Sequence, residues 1–165
     1  MRREVFSLIE IRALRKTSLA NIVGWCQDRD ADFLYQWAGK GYEYPLTAQQ
    51  IETRLANGAE IFEAVLDDNV VATIEIIARE EKGTALMGRY LLNPALAGQG
   101  LGTLVLKAFM ADCERKLGIK KLQLFVFDFN LSAQKCYQKC GFVEAETVIR
   151  PNGWKAIRME KTLGE

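Results

Sequence analysis

Leu91-Leu92-Asn93-Pro94-Ala95-Leu96-Ala97-Gly98-Gln99-Gly100-Leu101-Gly102-Thr103-Leu104-Val105 is the stretch that decides the fold. It joins a strand to a helix. Ala85 to Leu92 reads as a strand, ended by Asn93-Pro94. From Leu101 to Leu117 the apolar residues Leu101, Leu104, Val105, Ala108 and Phe109 recur at helical spacing, with one face to bury. Gly118 follows as a C-cap. Leu122 to Phe127 then reads as a strand apolar on both sides, hence central and covered on both faces. Strand, helix and strand form a βαβ unit, whose strands run parallel through a right-handed crossover.

The rest of the chain arranges itself around that unit. Phe6 to Ile11 is expected as a first strand and Leu19 to Arg29 as a short helix. Asp30 to Pro45 reads as irregular and aromatic, with Phe33, Tyr35, Trp37, Tyr42 and Tyr44. Thr47 caps a helix through Ala56, with Gln50 placed for a capping box. Ile61 to Leu66 and Val70 to Ala78 are strands about the turn Asp67-Asp68-Asn69, and with Ala85 to Leu92 they form an antiparallel meander. Ser132 to Cys140 is a second strong helix, and Val143 to Arg150 and Lys155 to Leu163 are closing strands. The expected fold class is α/β (mixed α+β): one central mixed sheet flanked by helices. A single domain over residues 1–165, with its core at 9–163, is expected.

Composition narrows the chemistry. Apolar residues make up 49% of the 165 and charged residues 26%, as in globular proteins. The net charge of +1 and the short basic groups Arg2-Arg3 and Arg12/Arg15/Lys16, expected on a solvated surface, give no nucleic-acid footprint. No apolar run reaches spanning length, so no membrane partner is expected, and the location is expected to be cytoplasmic. The absence of histidine excludes Ser-His and Cys-His nucleophiles and mixed Cys/His metal sites. Cys26, Cys113, Cys136 and Cys140 form no CxxC pair and are expected as reduced thiols; no metal is expected.

Glycines at 98, 100 and 102 let the backbone turn tightly where the helix presents its unpaired first N–H groups, which makes an anion site. The anion is not that of a Walker loop, because Thr103-Leu104 stands where Lys-Ser/Thr is required. Nor is it a dinucleotide fingerprint, which needs glycine at position 103. A second motif begins at Asn130, where a strand exits. Asn130, Ala133 and Tyr137 share one helix face. Both motifs lie at the C-terminal ends of neighbouring parallel strands, where α/β sheets place ligands.

Together, Leu91-Leu92-Asn93-Pro94 through Thr103 and Asn130-Leu131-Ser132-Ala133-Gln134-Lys135-Cys136-Tyr137 through Gly141-Phe142 resemble the two acetyl-CoA motifs of the GCN5-related N-acetyltransferase family. The resemblance implies an acyl-CoA N-acyltransferase fold and acetyl-CoA as cosubstrate. It implies backbone contacts to the pantetheine arm from Tyr90, Leu91 and Leu92. It also implies pyrophosphate binding by the backbone of Gly98, Gln99, Gly100, Leu101, Gly102 and Thr103, with Asn130 and Ala133 nearby. Tyr137 would protonate the leaving thiolate. A strand bulge would open the cleft, with Gly88 either helping that distortion or serving simply as a small packing residue. Ala97 departs from the Arg or Gln usual at the entry of the loop.

The reaction so implied is direct attack of a primary amine, on a small molecule or on a protein N-terminus or lysine, at the thioester. The amine must lose a proton first. Glu75 is the candidate base and Asp128 the second choice. Phe125 stands where some relatives carry a glutamate. The aromatic residues between Phe33 and Tyr44, with Trp154, either line the acceptor cleft or fill core. Asp28, Asp30 and Asp32 would favour a cationic amine. The alternative is a non-catalytic acyl-CoA-binding or regulatory domain on the same fold. A monomer or homodimer is expected.

Overall fold

In the computed structural model, residues 8–164 are described. They form one seven-stranded sheet in the order β1-β2-β3-β4-β5-β7-β6. The strands are β1 (Glu10–Ala13), β2 (Glu60–Leu66), β3 (Asn69–Arg79), β4 (Thr84–Leu92), β5 (Lys121–Phe127), β6 (Val143–Ile149) and β7 (Lys155–Thr162). β1 to β4 form the antiparallel meander, and β5, β7 and β6 pair antiparallel on the far side. Between these halves β4 and β5 run parallel, as the βαβ reading requires. The β2–β3 hairpin turns on Asp67 and Asp68, both at positive φ (50° and 65°), the backbone of a type I′ turn.

Among the described residues the α-helices that cover the sheet are α1 (Leu19–Trp25), α2 (Ala31–Ala38), α3 (Ala48–Ala56), α4 (Leu101–Arg115) and α5 (Leu131–Lys139). Val105, Leu106 and Phe109 of α4, with Tyr137 of α5, pack on Ala72, Ile74, Ile76, Met87, Leu122 and Leu124. A second core lies on the opposite face, where Leu19 and Ile22 of α1, Leu34 and Ala38 of α2 and Ile51 of α3 meet Ile61.

The structure corrects several sequence expectations. The first strand lies at Glu10–Ala13 rather than 6–11, and the Phe6 end of that expectation falls outside the described residues. Ala31–Ala38, expected to be irregular, is a helix. Asp30 caps it, accepting from Phe33 N at 2.9 Å, and Leu34 and Ala38 supply the i, i+4 inner stripe that the surrounding aromatics obscured. Thr47 caps α3 by accepting from Gln50 N at 3.4 Å, but Gln50 does not reciprocate as a capping box would. Its side chain instead accepts from Glu43 N at 2.8 Å and donates to the carbonyls of Glu43 and Pro45, pinning the loop that enters α3. Arg12, expected on the solvated surface, pairs with the fully buried Glu63 at 2.6 Å.

Candidate active site

β4 and β5 are hydrogen-bonded only from Thr84 to Leu86 against Lys121 to Gln123. Beyond Leu86 they part, leaving a slot through the sheet. The cause lies in β4. Glu75 pairs with Gly88 and Thr73 with Leu91, so two steps along β3 are matched by three along β4. Arg89 sits in this bulge with φ +47°, the left-handed region. An extra residue reverses which face each later side chain takes. Ala85 and Met87 face α4 and α5; past the bulge Tyr90 and Leu92 do so. Arg89 is thereby turned to the other face. Of the two readings of Gly88, the structure agrees with the small packing residue: a Cβ there would lie 2.7 Å from Ile77 Cδ1.

On the α4 side of the slot stands the glycine turn. Gly98 and Gly100 have φ +81° and +78°, and space is open where their side chains would be. The first intrahelical bond of α4 runs from Leu104 N to Gly100 O at 3.4 Å, so the N–H groups of Leu101, Gly102 and Thr103 precede it as free first-turn donors. With the helix dipole they suit a pyrophosphate, and the residues here fit the coenzyme that the motifs imply. Ala97 is exposed and offers no side-chain donor. Tyr90 Oη donates to Gly102 O at 2.6 Å, tying β4 to the first turn of α4.

α5 closes this side. Asn130 Oδ1 accepts from Ala133 N at 3.3 Å, so both residues are engaged in capping the helix. Gln134, which the sequence reading passed over, is buried and donates to the carbonyls of Phe127 (3.0 Å) and Asp128 (2.9 Å), fixing the exit of β5. A glutamine four positions after the cap asparagine, on the same helix face, was the signal available. Tyr137 is 8% exposed and packs edge-to-face on Phe142. Burial, then the neighbouring Cys136 and Cys140 thiols, push its hydroxyl pKa well up, so it holds its proton. Thr103 Oγ1 lies 3.5 Å from Cys136 Sγ. A hydrogen bond from Cys140 lowers the Cys136 thiol pKa against the effect of burial, and that from Thr103 helps.

On the opposite face a cleft of about 480 Å³ opens onto the slot, lined by Tyr35 to Lys40, Leu86 to Arg89, Phe125 to Phe127 and the Arg150-Pro151 turn. Glu75, the candidate base, is 2% exposed, and its two oxygens are held by Arg54 and Arg89. It anchors two guanidinium groups rather than offering a free acceptor to the cleft. Hydrogen bonding to Glu75 raises the Arg54 pKa further. Arg89 also donates from Nε to Ala38 O at 2.9 Å. The sequence reading missed Arg89; a lone arginine inside an apolar strand was its signal.

The aromatic residues divide. Tyr35, Phe127, Phe129 and Trp154 form one cluster at the end of the cleft, with ring centroids 4.9–5.8 Å apart. Tyr42 joins the second core instead, and Trp37 packs against that core while also lining the cleft. Asp28 and Asp30 line a separate 210 Å³ pocket with Phe33 and Tyr44, not the cleft. Among the described residues no group of three or more acidic or thiol ligands is placed for a metal, and no helix is long and apolar enough to cross a membrane.

Residues 22–142 match the acetyltransferase (GNAT) family. An aminoglycoside N(6')-acetyltransferase type 1 from Klebsiella pneumoniae is 32% identical over 82 residues, which is 50% of this chain and 40% of that protein, so the match spans less than half of its length. A kanamycin resistance protein from Rhizobium radiobacter is 32% identical over 82 residues, 50% of this chain and 75% of that protein. In overall fold the chain is similar to spermidine N-acetyltransferase from Vibrio cholerae in complex with CoA and spermine, with a TM-score of 0.78 at 18% identity over 94% of this chain and 96% of that one. It is also similar to an aminoglycoside acetyltransferase, AAC(6')-Ib, in complex with coenzyme A and kanamycin, with a TM-score of 0.74 at 21% identity over 94% and 95%.

Proposed function

The chain belongs to the acetyltransferase (GNAT) family, and from that premise we propose that it is an N-acetyltransferase acting on a primary amine. The observation that carries this reading is the slot between β4 and β5, with the anion-binding turn on one face and the 480 Å³ cleft on the other. Acetyl-CoA supplies the acetyl group as a thioester. The backbone of Gly98 to Thr103 holds its pyrophosphate, and the edge of β4 at Tyr90 to Leu92, unpaired with β5, offers its peptide groups to the pantetheine arm. The amine enters from the cleft. Tyr137 Oη, protonated because it is buried, gives its proton to the departing sulfur. Among the described residues no carboxylate lines the cleft, and the proton of the amine leaves through water. The CoA-bound amine acetyltransferases of the same fold support the reading.

Thiol release from acetyl-CoA across a panel of primary amines is the test. Amine-dependent release, reduced by Tyr137→Phe, is the expected result. Stabilisation of the protein by CoA with no release for any amine would instead favour a binding or regulatory role, as Ala97 and the engaged Glu75 allow.

A further inference from the structure

Resting on the N-acetyltransferase reading, we propose that the acceptor amine carries a carboxylate on an apolar body, as an apolar α-amino acid does, and that Arg150 receives that carboxylate. The charge on the cleft walls is of one sign. Lys40, Arg89 and Arg150 line it, and among the described residues no aspartate or glutamate does. Glu75 beneath Arg89 is shared between Arg89 and Arg54, so the two guanidiniums outweigh it. The aspartates at 28 and 30 belong to the other pocket, and the Asp30 carboxylate caps α2. A polyamine or aminoglycoside entering this cleft meets like charge with no counter-ion, although polyamine and aminoglycoside enzymes share the fold.

The three cations are not equivalent. Arg89 is engaged with Ala38 O and Glu75. Lys40 is exposed at the rim. Arg150 is half-buried, its guanidinium 4.5 Å from the centroid of the Phe125 ring, and no carboxylate pairs with it among the described residues. Its backbone is fixed by the hydrogen bond from its N–H to Trp154 O at 2.8 Å, across the turn before β7. A guanidinium laid on an aromatic face keeps its edge donors free, and that fork matches a carboxylate. Around it, Leu86, Phe125, Phe127 and Tyr35 offer apolar surface to the remainder of the acceptor.

Binding tests this without turnover. N-acetyl-L-phenylalanine and N-acetyl-L-phenylalaninamide differ only in the carboxylate. Titrated calorimetrically into the protein with CoA present, the acid is expected to bind about tenfold or more tighter than the amide, the scale of one charge-assisted hydrogen bond. Arg150→Ala should abolish that ratio and leave CoA affinity unchanged, and Arg150→Lys should restore only part of it. In thiol release, L-phenylalanine should exceed spermidine and kanamycin. Equal binding of acid and amide would overturn the proposal. So would a loss of CoA affinity in Arg150→Ala with the acid-to-amide ratio intact, which would assign the arginine to a coenzyme phosphate. If no amine releases thiol while the acid still binds preferentially, acetyl transfer falls and the carboxylate site stands. If release is equally fast with every amine and acid and amide bind alike, acetyl transfer stands and the carboxylate site falls.

Discussion

Arg89 reaches Glu75 because its own backbone is left-handed. With φ at +47° it is the extra residue of the β4 bulge, and its Nη1 donates to Glu75 Oε2 at 2.9 Å. In a regular strand the Arg89 side chain would take the same face as Met87, among the apolar residues of the α4 core. The ion pair sits at the bulge beside which β4 and β5 part.

Replacing Glu75 by Gln leaves Arg54 and Arg89 without their shared counter-charge. We expect a loss of about 3 kcal/mol in urea unfolding, the low end of the range for a broken buried pair because both arginines keep some solvent contact. The kcat should survive in the folded fraction. Its loss, with stability unchanged, would support Glu75 as the base.

At position 89 the usual order of side chains should invert. Glycine in a strand ordinarily destabilises relative to alanine. Here both substitutions remove the guanidinium, and only alanine retains the left-handed penalty, so Arg89→Gly should be more stable than Arg89→Ala by about 1–2 kcal/mol. Chemical denaturation of the pair measures this directly.

Tyr137→Phe keeps the ring against Phe142 and removes only the hydroxyl, so the fold should survive. We expect kcat to fall about 10²-fold with the KM for acetyl-CoA nearly unchanged. Because the folded-state pKa of the hydroxyl is raised, the proton is retained at and beyond the usual tyrosine pKa, and the wild-type rate should show no basic limb from this group below about pH 10.

The three glycines of the turn should separate by mechanism. Gly98→Ala and Gly100→Ala meet no neighbour but carry positive φ, so each should cost about 1–2 kcal/mol of stability. Gly102 lies inside α4, and a Cβ there makes only ordinary contact with Tyr90 Oη at 3.6 Å, so Gly102→Ala should be neutral or stabilising by about 0.5–1 kcal/mol. If the first turn grips pyrophosphate, that same substitution should still raise the KM for acetyl-CoA.

The strand, glycine turn and helix starts proposed to meet the coenzyme were legible in the sequence because they are built from local signals. Glycines before an amphipathic helix and an asparagine cap are read from spacing, while their assignment to acetyl-CoA is what the family resemblance implies. The acceptor half is built from long-range partners. Glu75 looked like a free carboxylate until Arg54, 21 residues earlier, and Arg89, 14 later, folded onto it. The bulge was sought at glycine because glycine tolerates any φ, yet a tertiary ion pair holds an arginine there instead. Helix α2 was missed for a related reason: two small inner contacts, Leu34 and Ala38, define it, and the larger aromatic residues around them follow no period.

Gly41 has a consequence for how this protein can change over generations. Its missing side chain makes room for the Arg89 guanidinium, with Nη2 2.7 Å from where a Cβ would stand. The adjacent Lys40 is exposed and bears on the cleft. One position of this turn is therefore closed to drift and its neighbour is open. New acceptors can be explored by substitution at 40 or 150, while any side chain at 41 must displace the Arg89 guanidinium that rests there. Substitutions along the rim are therefore expected to alter the acceptor range at less structural cost than one at 41.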